Sequence, residues 1–248
     1  MKKTLVVSLV AMLLLVAGSV MADSYLKQAT FMDGMEMMGQ SQPARYDTSE
    51  TWIAKGMIYS KSSDGGVFIG RVDQGKAYLV DHVAKTYSEM PIDLTEIFET
   101  ATEKMDKKTT DEVAGMMGSI KTIVTPTDEV KKIKDWNAKK YVVEMDMTMM
   151  KTLMDTYTTE DIKIDVELLN LSNQCMMAPL PGFEDMINEM KKIKGVPVFN
   201  EGHIEVMGTK IKTTMELLEY KEADAPAGIF DIPEGYKKIE MKMGMGGK

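Results

Sequence analysis

Between Tyr25 and Pro91 no apolar residue recurs at helical spacing for long, and short extended runs alternate with turn signals instead. That pattern restricts the segment to antiparallel sheet, because strand side chains alternate between faces and tight turns join antiparallel neighbours. The clearest piece is GRVDQGKAYLV, where Gln74-Gly75 reads as a two-residue hairpin turn. In that register Ile69, Arg71 and Asp73 share a face with Val80, Tyr78 and Lys76, while Phe68, Gly70 and Val72 share the other with Leu79 and Ala77. Ser63-Asp64-Gly65-Gly66 marks the preceding turn and TYSEMP closes the series at Pro91, so half a dozen strands are expected as a meander.

Helical spacing begins near Asp93. Leu94, Ile97, Phe98, Ala101 and Met105 form one apolar stripe, and Val113, Met116, Met117 and Ile120 form a second. Strands are expected again from Thr122. In Tyr141 to Met149, Val143, Met145, Met147 and Met149 alternate with Glu144, Asp146 and Thr148. A second helical block covers Val166 to Lys194. Its last helix carries Phe183, Met186, Ile187, Met190 and Ile193 on one stripe, Glu184 and Asp185 in the first turn, lysines in the last, and a stop at Gly195. GVPVFNEGHIEVMGTKIKTTMELLEY reads as two or three strands with turns near Asn200-Glu201-Gly202 and Met207-Gly208, and 241–248 as a flexible Met/Gly tail. No internal repeat or Pro/Ser linker interrupts residues 23–240, which are expected to form a single α+β domain: a curved antiparallel sheet, or half-barrel, covered by short amphipathic helices.

The compartment is read from MKKTLVVSLVAMLLLVAGSVMA. Lys2 and Lys3 precede an apolar run, and Val20-Met21-Ala22 supplies the small residues that a signal peptidase reads, so residues 1–22 are expected to be a cleaved export signal. No cysteine lies near the junction, which excludes a lipoprotein anchor there. Lys2 and Lys3 are two of the thirty basic residues, leaving 28 against 38 acidic ones in the mature chain, a net charge of −10. This balance repels phosphate backbones and argues against nucleic acid as a partner. Cys175 is the only cysteine, so no intramolecular disulfide forms, and its apolar neighbours in LLNLSNQCMM point to a buried, inert thiol. Methionine is abundant, 26 residues, against eight Phe and Trp together, which gives the chain a soft and adaptable apolar surface.

Several strings resemble a family of exported proteins built on a domain of unknown function. GRVDQGKAYLVDHVAKTYSEMP resembles its Asp strand, hairpin and KTY-x-E strand; TWIAKGMIYS its extended, Lys-Gly, extended pair; and AGIFDIPEGYKK its closing Phe-x-Ile-Pro-x-Gly-Tyr. The match runs from about Tyr25 to Lys238. Many relatives have Cys where this chain has Ala138 and Trp where it has Tyr157. The family is similar in architecture to the outer-membrane lipoprotein carriers, in which a half-open barrel closed by helices holds acyl chains. The resemblance therefore implies a lipoprotein-carrier-like half-barrel in the periplasm.

Catalytic inventory is poor. His82 and His203 are the only histidines, each read as a turn or strand-edge residue, and there is no G-x-S-x-G elbow, no H-E-x-x-H and no glycine-rich phosphate loop, so no enzyme activity and no cofactor are expected. Three readings remain. The first is a non-enzymatic periplasmic protein that binds an apolar small molecule, a lipid or the acyl chains of a lipoprotein. Its groove would be lined by Val143, Met145, Met147 and Met149 on the strand and by Leu94, Ile97, Phe98, Met186, Ile187 and Met190 on the helices. The second is a Met-rich Cu(I)-binding or oxidant-scavenging protein using Met32, Met35, Met37 and Met38, with further clusters at Met145 to Met150 and Met241 to Met245. Period-two spacing in the Tyr141 strand and the lack of nearby His or Cys favour packing or lining over metal ligation. The third is a structural envelope module that docks a partner protein.

Overall fold

The computed structural model describes residues 23–37, 40–93, 120–177 and 182–240. The strands in chain order are β1 (Ser24–Met32), β2 (Met35–Met37), β3 (Gln40–Gln42), β4 (Arg45–Ala54), β5 (Met57–Ser62), β6 (Gly66–Arg71), β7 (Lys76–Asp81), β8 (Thr86–Pro91), β9 (Lys121–Ile133), β10 (Trp136–Met147), β11 (Met150–Thr159), β12 (Val196–Val206), β13 (Thr209–Glu222) and β14 (Lys237–Lys238). Two helices stand between β11 and β12: α1 (Val166–Met177) and α2 (Phe183–Met190).

Twelve strands form one curved, unclosed sheet in the order β14-β8-β7-β6-β5-β4-β1-β13-β12-β11-β10-β9, with β2 and β3 as a separate hairpin. β1 lies inside it. All nine β1 residues pair antiparallel with β4 on one side and with β13 on the other. The β4–β8 meander spreads from one flank and the β13–β9 meander from the other; only β14 runs parallel to its neighbour, β8. Pairing shifts at Lys27/Gln28, Lys139/Tyr141 and Tyr157/Thr158 insert irregularities of the kind that increase local twist.

Residues paired across strands share a face, so the register defines two surfaces. One carries the row Ile53, Ile58, Gly70, Ala77 and Met90 beside Leu26. Both helices pack on this face. α1 crosses β5 and β6, where a Cβ added to Gly70 would stand 2.7 Å from Ile58 Cγ2 and 2.8 Å from Leu171 Cδ2; the glycine is the seat on which the helix rests. Leu168, Leu171 and Cys175 of α1 are buried in the same cluster as Ile58, Phe68 and Ala77. Asp165 Oδ1 accepts the Leu168 N–H at 3.0 Å and caps the helix. α2 lies over β9, tied by Glu189 Oε2, which accepts the Val124 N–H at 2.9 Å while Lys192 grips both carboxylate oxygens.

The opposite face of β5–β8 carries Val67, Ile69, Tyr78 and Val80. After β13 the chain returns across it as a strap, 223–240, that lays Phe230, Ile232 and Tyr236 on this cluster before joining the edge as β14.

The hairpin faces expected for GRVDQGKAYLV are present: Phe68 pairs with Leu79, Gly70 with Ala77 and Ile69 with Tyr78. Its turn is longer than two residues. Val72–Gln74 form a 3₁₀ turn, and Gly75, with φ 65°, closes it in the left-handed region. The stretch Asn200-Glu201-Gly202 is not a turn but the middle of β12. A Cβ on Gly202 would stand 2.1 Å from Leu153 O, so the glycine serves a close strand approach rather than a chain reversal. His203 accordingly sits inside a central strand, paired with Leu153 and Lys212. Met149 is not a strand residue: Thr148 and Met149 form the turn that lets Met147 pair with Met150, which leaves Met149 exposed. The stripes expected at Leu94 to Met117 and the tail 241–248 lie outside the described residues.

Two outcomes follow from this packing. Gly202→Ala forces the β11 and β12 backbones apart, and denaturant unfolding is expected to show a loss of about 2–3 kcal/mol. Burial pushes the Cys175 thiol up to about 11, so it stays protonated. A thiol reagent at about pH 8 should leave the native chain unlabelled and modify one cysteine only after unfolding, whereas rapid native labelling would show that α1 is not docked.

Candidate functional site

The helix-bearing face holds a cleft of about 520 Å³ at the end of β5–β8 away from α1. Register explains its floor. Ser60 pairs with Phe68, Phe68 with Leu79 and Leu79 with Ser88, a row that alternates hydroxyl and apolar groups across four strands. The next row outward, Ser62, Gly66, Asp81 and Thr86, forms the rim, and Ile239 stands beyond the β8 edge. Phe68 is buried and Leu79 half-buried, both joined to the main core, so the centre of the floor is apolar.

The polar groups at the rim are largely engaged. Ser60 Oγ lies 3.2 Å from Thr51 Oγ1. Ser62 Oγ donates to Asp64 Oδ1, which also accepts the Gly66 N–H at 3.0 Å; these bonds hold the Asp64 carboxyl below the usual range. Asp81 Oδ1 accepts the Val83 and Ala84 N–H groups at 2.8 and 2.9 Å and thereby shapes the β7–β8 turn. The described lining residues include no Lys, Arg, His or Cys, so they offer no thiol and no cationic clamp, and the carboxylate among them, Asp81, is engaged by the Val83 and Ala84 N–H groups. His82 lies beside the site but turns to Tyr236, its Nδ1 at 2.7 Å from the phenol oxygen.

On the reverse face Arg71 fixes the strap. It donates to Asp73 at 2.8 and 2.9 Å and to Asp231 at 2.8 Å, and Asp73 is thereby held below the usual carboxylate range. Glu89 joins Lys76 at 2.9 Å to Lys238 at 3.0 Å, and the two ammonium groups depress its carboxyl.

The residues expected to line a groove are distributed differently. Val143 and Met147 are buried and Met145 is half-buried, all on the helix-bearing face but far along the sheet, where Met145 pairs with Thr152 and Val143 with Met154. Met186 is buried and Ile187 half-buried on α2, whereas Met190 is exposed, 37%, because the helix ends there and its last turn passes the edge of β9. Leu94, Ile97 and Phe98 lie outside the described residues. Of the four methionines considered for copper, Met32 ends β1 opposite Thr213, Met35 and Met37 are paired with Gln42 and Gln40 in the small hairpin, and Met38 lies outside the described residues. Among the described residues no group of three His, Cys, Asp or Glu side chains is placed to hold a metal ion.

The cleft residues Phe68, Leu79, Ser60, Ser88 and Ile239 were not singled out by sequence. A signal for two of them existed, because alternation in GRVDQGKAYLV already places Phe68 and Leu79 together on one face. What alternation lacks is the position of α1, which, among the described residues, leaves this end of the face open.

No protein-family model and no curated protein sequence matches the chain. Among solved structures it is similar to PNGF-II, with a TM-score of 0.40 and 11% identity over 90% of this chain. The chain spans 31% of the length of that protein. It is also similar, with a TM-score of 0.30 and 7% identity, to a domain from Vibrio parahaemolyticus described as an outer membrane lipoprotein-sorting protein domain, covering 86% of this chain and 91% of that one.

Proposed function

We propose that the mature chain acts outside the cytoplasm as a non-enzymatic binder of an apolar ligand, a lipid or an acyl chain, held on the helix-bearing face of its sheet. The observation that carries this reading is the cleft of about 520 Å³ floored by Phe68 and Leu79, a volume within the range of about 300–1,000 Å³ common for small-molecule sites. On this reading the groove lies on β5–β8 rather than on the methionine strand β10. The lining suits an uncharged, flexible guest: the floor offers carbon, the rim offers hydroxyls, and the described lining residues carry no cation to demand an anionic head. Each methylene transferred from water into such a floor contributes about 0.8 kcal/mol, so a short acyl segment offsets its ordering entropy.

Half-buried methionines farther along the same face, Met215, Met154, Met145 and Met150, extend the apolar surface beyond the cleft. Their unbranched side chains refit easily around guests of different length.

The test is binding of the neutral fluorescent probe N-phenylnaphthylamine. Leu79→Glu places a charge in the floor and is expected to weaken binding at least about tenfold, equivalent to about 1.4 kcal/mol. Leu153→Glu, on the opposite face, should bind as the wild type does. Equal binding by both variants, with thermal unfolding showing each folded, would overturn the assignment.

A further inference from the structure

We infer that the β9 edge is closed to any further strand by α2 and by β9's own sequence, and that replacing two residues of this block lets two copies of the chain join β9 to β9. This does not depend on the binding reading above. Among the described residues β9 is the last strand on its flank of the sheet, and it is 13 residues long. A strand in that place presents a row of outward amides and carbonyls to any chain that can pair with them. Along it the amides alternate, one toward β10 and the next away. Val124 N–H is of the second kind: it donates at 2.9 Å to Glu189 Oε2 of α2 rather than into the β10 ladder. Two residues on, in the same outward phase, stands Pro126, which has no N–H to give. Of these two neighbouring outward donors, one is occupied and the other missing.

The block is pinned in place. Lys192 Nζ holds the Glu189 carboxylate at 2.6 and 2.7 Å, and Ile193, just past α2, packs with Val124, Tyr141 and Val143. Beyond Pro126 the strand loses its even pairing. Pro126 pairs with Tyr141 and Val130 with Lys139, so Thr127, Asp128 and Glu129 face Lys140 alone. There Thr127 Oγ1 donates to Lys140 O at 2.9 Å and accepts the Glu129 N–H at 3.2 Å. A bulge of this kind bends the edge, and this one turns an amide onto a side chain. The remaining stretch, 130–133, is short and carries the exposed Lys131 and Lys132, charges that discourage a further strand. Once unblocked, the edge fits a second β9: antiparallel pairing about a two-fold axis uses the same edge in both copies and closes after two, whereas pairing β9 to the opposite flank of another copy would continue without end.

Light scattering after size-exclusion chromatography, on the full mature chain, tests this. Pro126 is exposed and Glu189 half-buried, so both can be replaced without opening the core. Pro126→Val with Glu189→Ala restores one donor and frees the other, and the mass of this double variant is expected to rise about twofold above the wild type's as concentration increases. Glu184→Ala, an exposed change on the same helix, should keep the wild-type mass. Amide exchange should slow at 122–126 in the associated variant and show no dependence on concentration in the wild type. A double variant that melts as a folded protein yet keeps the wild-type mass at every concentration would overturn the inference. Association whose slowed amides lie elsewhere would overturn it as well, and so would wild-type amides at 122–126 that slow with concentration. If the double variant does not fold, Pro126→Val alone is expected to associate in the same way but more weakly, and wild-type behaviour in that variant is then the contradicting result.

Discussion

The pairing of β1 on both flanks is the constraint on which the rest of the structure depends. Nine consecutive residues, SYLKQATFM, exchange backbone hydrogen bonds with β4 and with β13, strands that lie on either side of it yet come from opposite ends of the chain. Without that ladder the two meanders are separate sheets. Leu26, fully buried, joins Ile53 and Leu217 in one core cluster, so the backbone ladder and the apolar core are secured by the same strand. A strand with partners on both sides has its backbone groups paired within the sheet, where an unpaired buried amide would cost about 1–3 kcal/mol.

From that seam the molecule uses its two faces differently. On the β5–β8 half one face is closed by the strap, through three apolar side chains and the Arg71–Asp231 pair. The other is covered by α1 at the Gly70 row and left concave at the Phe68–Leu79 row. A side chain at position 70 would meet Ile58 Cγ2 and Leu171 Cδ2 at under 3 Å, so these side chains would have to shift. The cleft is thus a consequence of where a short helix lands on a wide sheet, and its edge is completed from the reverse face when the strap rounds β8 and delivers Ile239.

The meander before Pro91, the faces of Phe68, Gly70, Leu79 and Ala77 and the buried thiol of Cys175 were legible in sequence, because each follows from local period or composition, while the β4–β5 pair about Lys55-Gly56 was expected from the family resemblance. Gly202 misled for a physical reason. Glycine marks both turns and close strand contacts, and only the neighbouring Leu153 carbonyl distinguishes them. The 223–240 strap has no period to read; Arg71 and Asp231, 160 residues apart, meet through tertiary packing. Placing the cleft on β5–β8 rather than on β10 required the landing site of α1, which depends on the small size of Gly70 and on chain connections that periodicity does not encode. The reading of the chain as an apolar-ligand binder had its physical basis in adaptable carbon surface, and the site proposed for it rests on Phe68 and Leu79 rather than on methionine.

The central claim is that this face retains an apolar guest. Native mass spectrometry of the mature chain, purified without detergent from an exporting host and paired with organic extraction of the same sample, tests it most directly. The account predicts an added mass that extracts into organic solvent. A bare polypeptide mass, with nothing recovered in the extract, would contradict it.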